Sequence, residues 1–80
     1  MTLSKAIAKR IENLCAERNI TINKLATLAG FNRSTLEHII KDSVKDPRIK
    51  TLYKIAIVFN MTLSELLDFP EMNEIFFEDE

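Results

Sequence analysis

Apolar residues recur along this 80-residue chain at the spacing of an α-helix. In residues 3–18 they form one stripe, made of Leu3, Ile7, Ile11, Leu14 and Cys15. The positions between them are mostly polar or charged, and no long stretch of the chain alternates apolar and polar residues as a half-buried strand would. The pattern predicts a first helix over residues 3–18 with one buried face.

A second helix is predicted to begin after Thr21, whose hydroxyl makes it a good N-cap. Gly30, the only glycine of the chain, follows the last apolar position of that helix. Glycine adopts the left-handed conformation that ends many helices without a steric penalty, so we expect the helix to stop there. The inward-facing positions are expected to be Leu25, Ala26, Leu28 and Ala29.

A third helix is predicted from Arg33 to Lys41, with Asn32 as its N-cap. Its inward face is expected to consist of Leu36, Ile39 and Ile40. The side chains expected to hold the second and third helices together are Leu25, Leu28, Leu36 and Ile39. A short helix, a turn of about three residues that contains a glycine, and another helix form a helix-turn-helix unit.

Two more short helices are predicted in the second half of the chain. Asp46 followed by Pro47 is a typical helix start, with an acidic N-cap and proline at the first helical position. Asn60 is expected to end this fourth helix, whose inward positions are Ile49, Leu52, Ile55, Ala56 and Phe59. Thr62 and Glu65 have the spacing of a capping box and open a fifth helix. The sequence therefore predicts an all-α, compact five-helix domain.

The charge of the chain is divided unevenly along its length. The formal net charge is −1, with 11 basic and 12 acidic residues. All the basic residues lie between Lys5 and Lys54, and six of the acidic residues lie in the last thirteen positions. A basic body over residues 1–67 and an acidic tail over residues 68–80 predict a nucleic-acid partner for the body, which the overall charge alone does not.

Several classes of protein are excluded by composition. No apolar run approaches the roughly 20 residues that span a bilayer. One cysteine, Cys15, and one histidine, His38, cannot build an internal disulfide or a zinc site. No catalytic base has a paired nucleophile. We therefore expect a cytoplasmic protein without a cofactor and without enzymatic activity, with Cys15 as a small core residue.

The outward face of the third helix carries the candidate base-reading residues. Positions 34, 37, 38 and 41 follow the helical repeat on the side away from the apolar residues. The candidates are Arg33, Ser34, Glu37 and His38. Arg33 can donate a bidentate pair to guanine, and Glu37 can accept from cytosine. The candidate phosphate contacts are Asn23, Lys24, Lys41, Lys45, Arg48 and Lys50, together with the first-turn amides of residues 22–24.

These segments resemble the Cro/repressor-type (Xre-like) helix-turn-helix domain, the five-helix lambda-repressor-like fold. The resemblance covers residues 4–69 and rests mainly on residues 20–39, 47–56 and 61–67. It implies operator DNA binding, commonly as a dimer, and transcriptional regulation. We accordingly expect a homodimeric repressor that reads a pseudo-palindromic operator in double-stranded DNA with its third helix in the major groove.

The C-terminal tail leaves a second interpretation open. We expect a helix-turn-helix domain over residues 1–69 and an acidic, aromatic tail over residues 70–80. Phe76 and Phe77 in that tail are suited to covering the core, to a dimer seam or to anchoring a protein effector. The alternative function is therefore a protein-interaction module of the antitoxin or antirepressor type.

Overall fold

A computed structural model describes residues 2–41 and 47–75 and, of Arg33, only the backbone. This part of the chain contains five α-helices, a short 3₁₀ helix and no strand. The helices are α1 (Leu3–Glu17), α2 (Ile22–Ala29), α3 (Arg33–Ile40), α4 (Ile49–Val58) and α5 (Leu63–Leu67), followed by the 3₁₀ helix at Pro70–Glu74. The predicted all-α, five-helix fold is confirmed.

A single hydrophobic core joins the five helices. Helix α1 packs against α2, α3 and the 3₁₀ helix, α2 also contacts α3 and α4, and α4 contacts α5. The largest completely buried side chains are Ile11, Leu25, Leu36, Ile55, Phe59 and Leu66. Burying a side chain of this kind contributes about 1.5–3 kcal/mol, and each of the five α-helices supplies at least one. The short helices are therefore held mainly by their packing against one another.

Helices α1, α2 and α4 end in the same way. Each is followed by a residue with positive φ, and these residues are Asn19, Gly30 and Asn60. The next residue donates its backbone N–H to a carbonyl five positions back and packs its side chain against the core; these residues are Ile20, Phe31 and Met61. This is the Schellman arrangement, which satisfies carbonyls at the helix end. The predicted stop at Gly30, where φ is +77°, is confirmed.

Threonine hydroxyls begin two of the helices as predicted. The Thr21 hydroxyl accepts from the backbone N–H of Lys24 at 3.0 Å. At α5, Thr62 accepts from the Glu65 amide at 3.1 Å, and the Glu65 carboxylate accepts from the Thr62 amide at 2.8 Å. Asn32 occupies the N-cap position of α3 without a side-chain cap hydrogen bond, so its predicted capping role is not found.

The predicted start of α4 is wrong. The helix begins at Ile49 with Arg48 as its N-cap, so Pro47 lies before the cap and not at the first helical position. Asp46, the expected cap, lies outside the described residues. Proline fixes its own φ near −65° and favours an extended residue before it. These restrictions suit a residue just ahead of the N-cap as well as one in the first turn.

Two apolar side chains predicted to face inward are exposed. Leu28 in α2 exposes 53% of its surface and Ile49 in α4 exposes 70%. The buried face of α2 is centred between Leu25 and Ala26, and Leu28 lies about 110° from that centre at 100° per residue. Leu28 therefore lies outside the face of α2 that packs against the core.

Candidate nucleic-acid interface

Helix α3 presents a polar face to solvent. Its inner side is anchored by Leu36 and Ile39, which are buried in contact with the rest of the core. Three predicted outward residues, Ser34, His38 and Lys41, are exposed. The structure therefore leaves one side of the second helix of the helix-turn-helix open to a ligand over about two turns.

Thr35 also lies on this exposed face and was not among the predicted site residues. At 100° per residue, the exposed positions 34, 35, 38 and 41 span an arc of about 120°. Thr35 lies at one edge of that arc and Lys41 at the other. The sequence prediction followed only the row of positions 34, 37, 38 and 41. Thr35 lies beside that row on the helix surface, so it was left out.

Glu37 lies at the margin of the face. Its side chain is about one-third exposed, and its Oε2 atom lies 4.0 Å from Nζ of Lys41. It borders a groove of about 270 Å³ between the start of α2 and the last turn of α3. The groove is lined by Thr21, Ile22, Asn23, Glu37, Ile40 and Lys41. Glu37 is therefore placed towards the α2 N-terminus, away from the centre of the exposed arc.

The α2 N-terminus offers fewer amides than predicted. The Lys24 N–H is taken up by the Thr21 hydroxyl, which leaves the amides of Ile22 and Asn23 as first-turn donors outside the helical ladder. The side chains of Asn23 and Lys24 are exposed beside them. The partial positive charge of a helix N-terminus and the nearby Lys41 make this end of the groove suitable for an anionic oxygen.

Two of the remaining predicted contacts, Arg48 and Lys50, do not line this groove. Arg48 and Lys50 are exposed at the start of α4. Arg33 occupies the first position of α3, and only its backbone is described. Lys45 lies outside the described residues. The structure thus brings together Asn23 and Lys41 across the groove, with Lys24 close by in the first turn of α2.

Two arginines of the basic body belong to the scaffold. Arg10 donates to the carbonyl oxygens of Leu66 and Glu65, each at 3.0 Å, and its guanidinium lies 5.4 Å from the Phe69 ring centroid. Arg18 donates to the Phe59 carbonyl oxygen at 3.1 Å and lies 5.7 Å from the ring centroid of the same residue. Sequence reasoning counted both only as part of the positive charge.

The described residues contain no arrangement suited to metal binding and no membrane-crossing helix. No group of three or more His, Cys, Asp or Glu side chains is placed to hold a metal ion among them. None of their helices is long and apolar enough to cross a membrane. Cys15 is buried, and burial, with a smaller effect from Glu12, raises the pKa of its thiol. The raised pKa favours the unreactive, protonated thiol, as expected for a core residue.

The sequence matches the family of Cro/C1-type helix-turn-helix (HTH) DNA-binding domains over residues 10–71. The chain belongs to this family. A Cro/C1-type HTH protein is a DNA-binding transcriptional regulator and not an enzyme. Among its relatives is an SPbeta prophage-derived HTH-type transcriptional regulator, YopO, of Bacillus subtilis. The two are 34% identical over 62 residues, which cover 78% of this chain and 87% of the relative.

Solved structures of similar proteins share the fold. Prophage Lp1 protein 11 is 32% identical, with a TM-score of 0.83 over 94% of this chain and 99% of that protein. SinR, a master regulator for biofilm formation, was solved in complex with DNA. That SinR chain is 31% identical, with a TM-score of 0.70 over 78% of this chain and 98% of its own length.

Proposed function

We propose that this Cro/C1-type HTH protein is a homodimeric repressor that binds a pseudo-palindromic operator with α3 in the major groove. The observation that carries the proposal is the exposed polar face of α3, held in place by the buried Leu36 and Ile39. The similarity to a SinR chain solved with DNA supports the same use of the motif. The second helix of such a motif reads base edges, most often with its N-terminal residues.

In this proposal the first turns of α3 read sequence. Arg33 donates to a guanine, and Ser34 and His38 bond base edges or nearby phosphates. Thr35 joins them because it shares the exposed arc. Glu37 retains the proposed role of accepting from a cytosine, at the edge of the reading face where it approaches Lys41.

Phosphates are bound by two sets of residues. At the α2 N-terminus, the amides of Ile22 and Asn23 bind one phosphate, assisted by Lys24 and Lys41. A second set of backbone contacts is made by the cations that precede or begin α4 in the sequence, Lys45, Arg48 and Lys50. These contacts supply affinity and salt dependence but do not themselves distinguish sequences.

The domain division stays a prediction, with the HTH domain over residues 1–69 and a tail over residues 70–80. The first part of that tail, Pro70–Glu74, packs on α1, and Met72 contacts the core. Phe76 and Phe77 lie outside the described residues. The alternative function, a protein-interaction module, is not favoured, because the relatives are transcriptional regulators.

A binding-site selection from randomised duplex DNA tests the proposal. We expect an enriched pseudo-palindrome whose half-sites are centred about one helical turn, or roughly 34 Å, apart. Fluorescence anisotropy on the selected site should then give a binding constant that falls linearly with salt on logarithmic axes. Failure to enrich any site, together with binding that does not respond to salt, would disprove it.

Arg33→Ala separates sequence reading from general attraction. It should cost about 1–3 kcal/mol on the selected site and relax the preference at one base pair. Lys9→Ala is the matched control, since Lys9 is an exposed cation of α1, outside the helix-turn-helix. Equal effects of the two substitutions would contradict a base-reading role for Arg33.

A further inference from the structure

Helix α4 carries a line of exposed apolar side chains, which we call the α4 stripe: Ile49, Tyr53 and Ile57. These residues expose 70, 56 and 60% of their surfaces. Their spacing of four residues places them on one side of the helix. The opposite side of α4 is buried, so the stripe is a second apolar face that the described fold does not cover.

The exposed apolar area of the stripe is as large as that of many protein interaction sites. Its exposed surface amounts to roughly 400 Å², the size at which an apolar patch on a monomer often marks an interaction site. A stable dimer buries about 800 Å² on each partner. The stripe therefore supplies about half of such an interface as an apolar centre, and the polar positions around it supply a rim.

The order of residues in the stripe makes it self-complementary. Isoleucine, tyrosine and isoleucine at equal spacing read the same in both directions along α4. If two copies of α4 pack antiparallel, Ile49 contacts the partner's Ile57 and the two Tyr53 side chains meet at the two-fold axis. A two-fold dimer requires one surface that is complementary to itself in this way.

The charges of α4 favour the same antiparallel arrangement. Arg48 and Lys50 lie at the N-terminal end of the helix, and residues 48–58 contain no acidic side chain. Antiparallel packing keeps the cations of the two copies at opposite ends of the helix pair, whereas parallel packing would place like charges side by side. Lys54 is directed elsewhere, since its ammonium lies 5.5 Å from the Phe31 ring centroid.

We propose that the α4 stripe is the docking surface for a second copy of this chain, with α4 antiparallel to the partner's α4 about a two-fold axis at Tyr53. The proposal rests on the proposed homodimer and identifies its surface. It uses a helix that packs against α2 and α5, and it leaves the polar face of α3 open. The domain measures 34 × 23 × 21 Å, so adjacent copies are compatible with recognition helices about 34 Å apart.

Sedimentation equilibrium of the full chain without DNA tests the surface. We expect a dimer whose dissociation constant rises at least about tenfold in Tyr53→Glu and in Ile57→Glu, because each places a carboxylate in an apolar contact. Leu28→Glu is the matched control, since Leu28 is also exposed, at 53%, but lies on α2. Circular dichroism should show that all variants remain folded.

Cysteine cross-linking tests the geometry independently of any loss of association. In a Cys15→Ala background, Tyr53→Cys should form a disulfide-linked dimer under mild oxidation. Ile49→Cys should cross-link to Ile57→Cys when the two proteins are mixed, at least about tenfold faster than either cross-links to itself. Leu28→Cys should remain monomeric under the same conditions.

Three results would overturn the proposal: a monomeric wild type at millimolar concentration, stripe variants that associate as tightly as wild type, or cross-linking no faster at Tyr53 than at Leu28. If the wild type is monomeric, the candidate partner of the stripe is a different protein and not a second copy of this chain. Because association is measured without DNA, a failure of operator binding leaves this test intact. A protein that binds operator but fails these measurements refutes the stripe alone.

Discussion

Arg10 and Lys41 carry the same charge but have different roles in the molecule. The Arg10 guanidinium is fixed by two carbonyl oxygens at 3.0 Å and by the Phe69 ring. The Lys41 side chain is 72% exposed, and its Nζ atom lies 4.0 Å from Oε2 of Glu37. A charge held within the fold stabilises the domain, whereas one held in solvent is available to a ligand. The net charge of residues 1–67 is therefore larger than the positive charge available to bind DNA, because Arg10 and Arg18 are bonded within the fold.

The side chains of Arg10 and Arg18 bind backbone carbonyls at the C-terminal ends of α5 and α4. Helix α5 has only five residues, too few to be stable alone. Its start is held by the Thr62–Glu65 capping box, and its last carbonyls are held by Arg10. Arg18 binds the carbonyl of Phe59 at the end of α4 in a similar way. Both arginines thereby connect α1 to helix ends that are more than 40 residues distant in sequence.

The largest effect is expected from Arg10→Ala. Removing two charge-assisted hydrogen bonds and the ring contact should lower the free energy of unfolding by about 2 kcal/mol. For a domain of this size the midpoint of thermal unfolding should fall by about 10 °C. Thermal denaturation followed by circular dichroism measures this, with Lys9→Ala as the exposed control. A change no larger than that of the control would remove the distinction between fixed and exposed charges.

Arg18→Ala should have a smaller effect of the same kind. It removes one hydrogen bond, to the Phe59 carbonyl at 3.1 Å, and a ring contact at 5.7 Å. We expect a loss of about 1 kcal/mol in urea denaturation. Lys5→Ala, another exposed cation on α1, should change stability by less than about 0.5 kcal/mol. An unchanged Arg18→Ala midpoint would show that this contact contributes nothing measurable.

Unlike the two arginine substitutions, Lys41→Ala should weaken DNA binding without lowering the stability of the domain. As a proposed phosphate contact, its loss should weaken binding to all sequences about threefold and reduce the salt slope by about 1. Lys41→Arg should retain most of the affinity, because it keeps the charge. Anisotropy titrations at several salt concentrations, on selected and unrelated duplexes, distinguish this from a lost base contact. A sequence-dependent loss would assign Lys41 to base reading instead.

The smallest effect concerns the Glu65 carboxylate, which caps the start of α5. Hydrogen bonds from the Thr62 backbone and side chain lower the pKa of Glu65. Because the folded pKa is the lower one, the unfolded state binds more protons in the acidic range. The stabilisation is present above the unfolded pKa and is lost as pH falls through the folded pKa.

Urea denaturation between pH 3 and 6 tests this sign. Glu65→Gln should be less stable than wild type at pH 6, and the difference should shrink as pH falls. Glu74→Gln, at an exposed position of the 3₁₀ helix, should track the wild-type profile. A difference between Glu65→Gln and wild type that grows at low pH would contradict the capping contribution.

Local signals in the sequence predicted the helices and several of their ends. The Schellman stop at Gly30 and the capping box at Thr62 depend on residues within five positions, so the chain encodes them locally. The start of α4 was predicted wrongly because Pro47 suits both the first turn and the position ahead of the N-cap. The roles proposed for Arg33, Ser34, His38 and Lys41 stay predictions.

The sequence by itself determined the five-helix pattern, the helix-turn-helix and the resemblance to its family, because these follow from helical periodicity and short-range turn chemistry. The tertiary structure decided which apolar residues are covered, including the exposure of Leu28 and the α4 stripe. It also moved Glu37 to the groove beside α2 and assigned Arg10 and Arg18 to the scaffold. These outcomes depend on how helices approach one another, and such contacts join residues that the local pattern cannot relate.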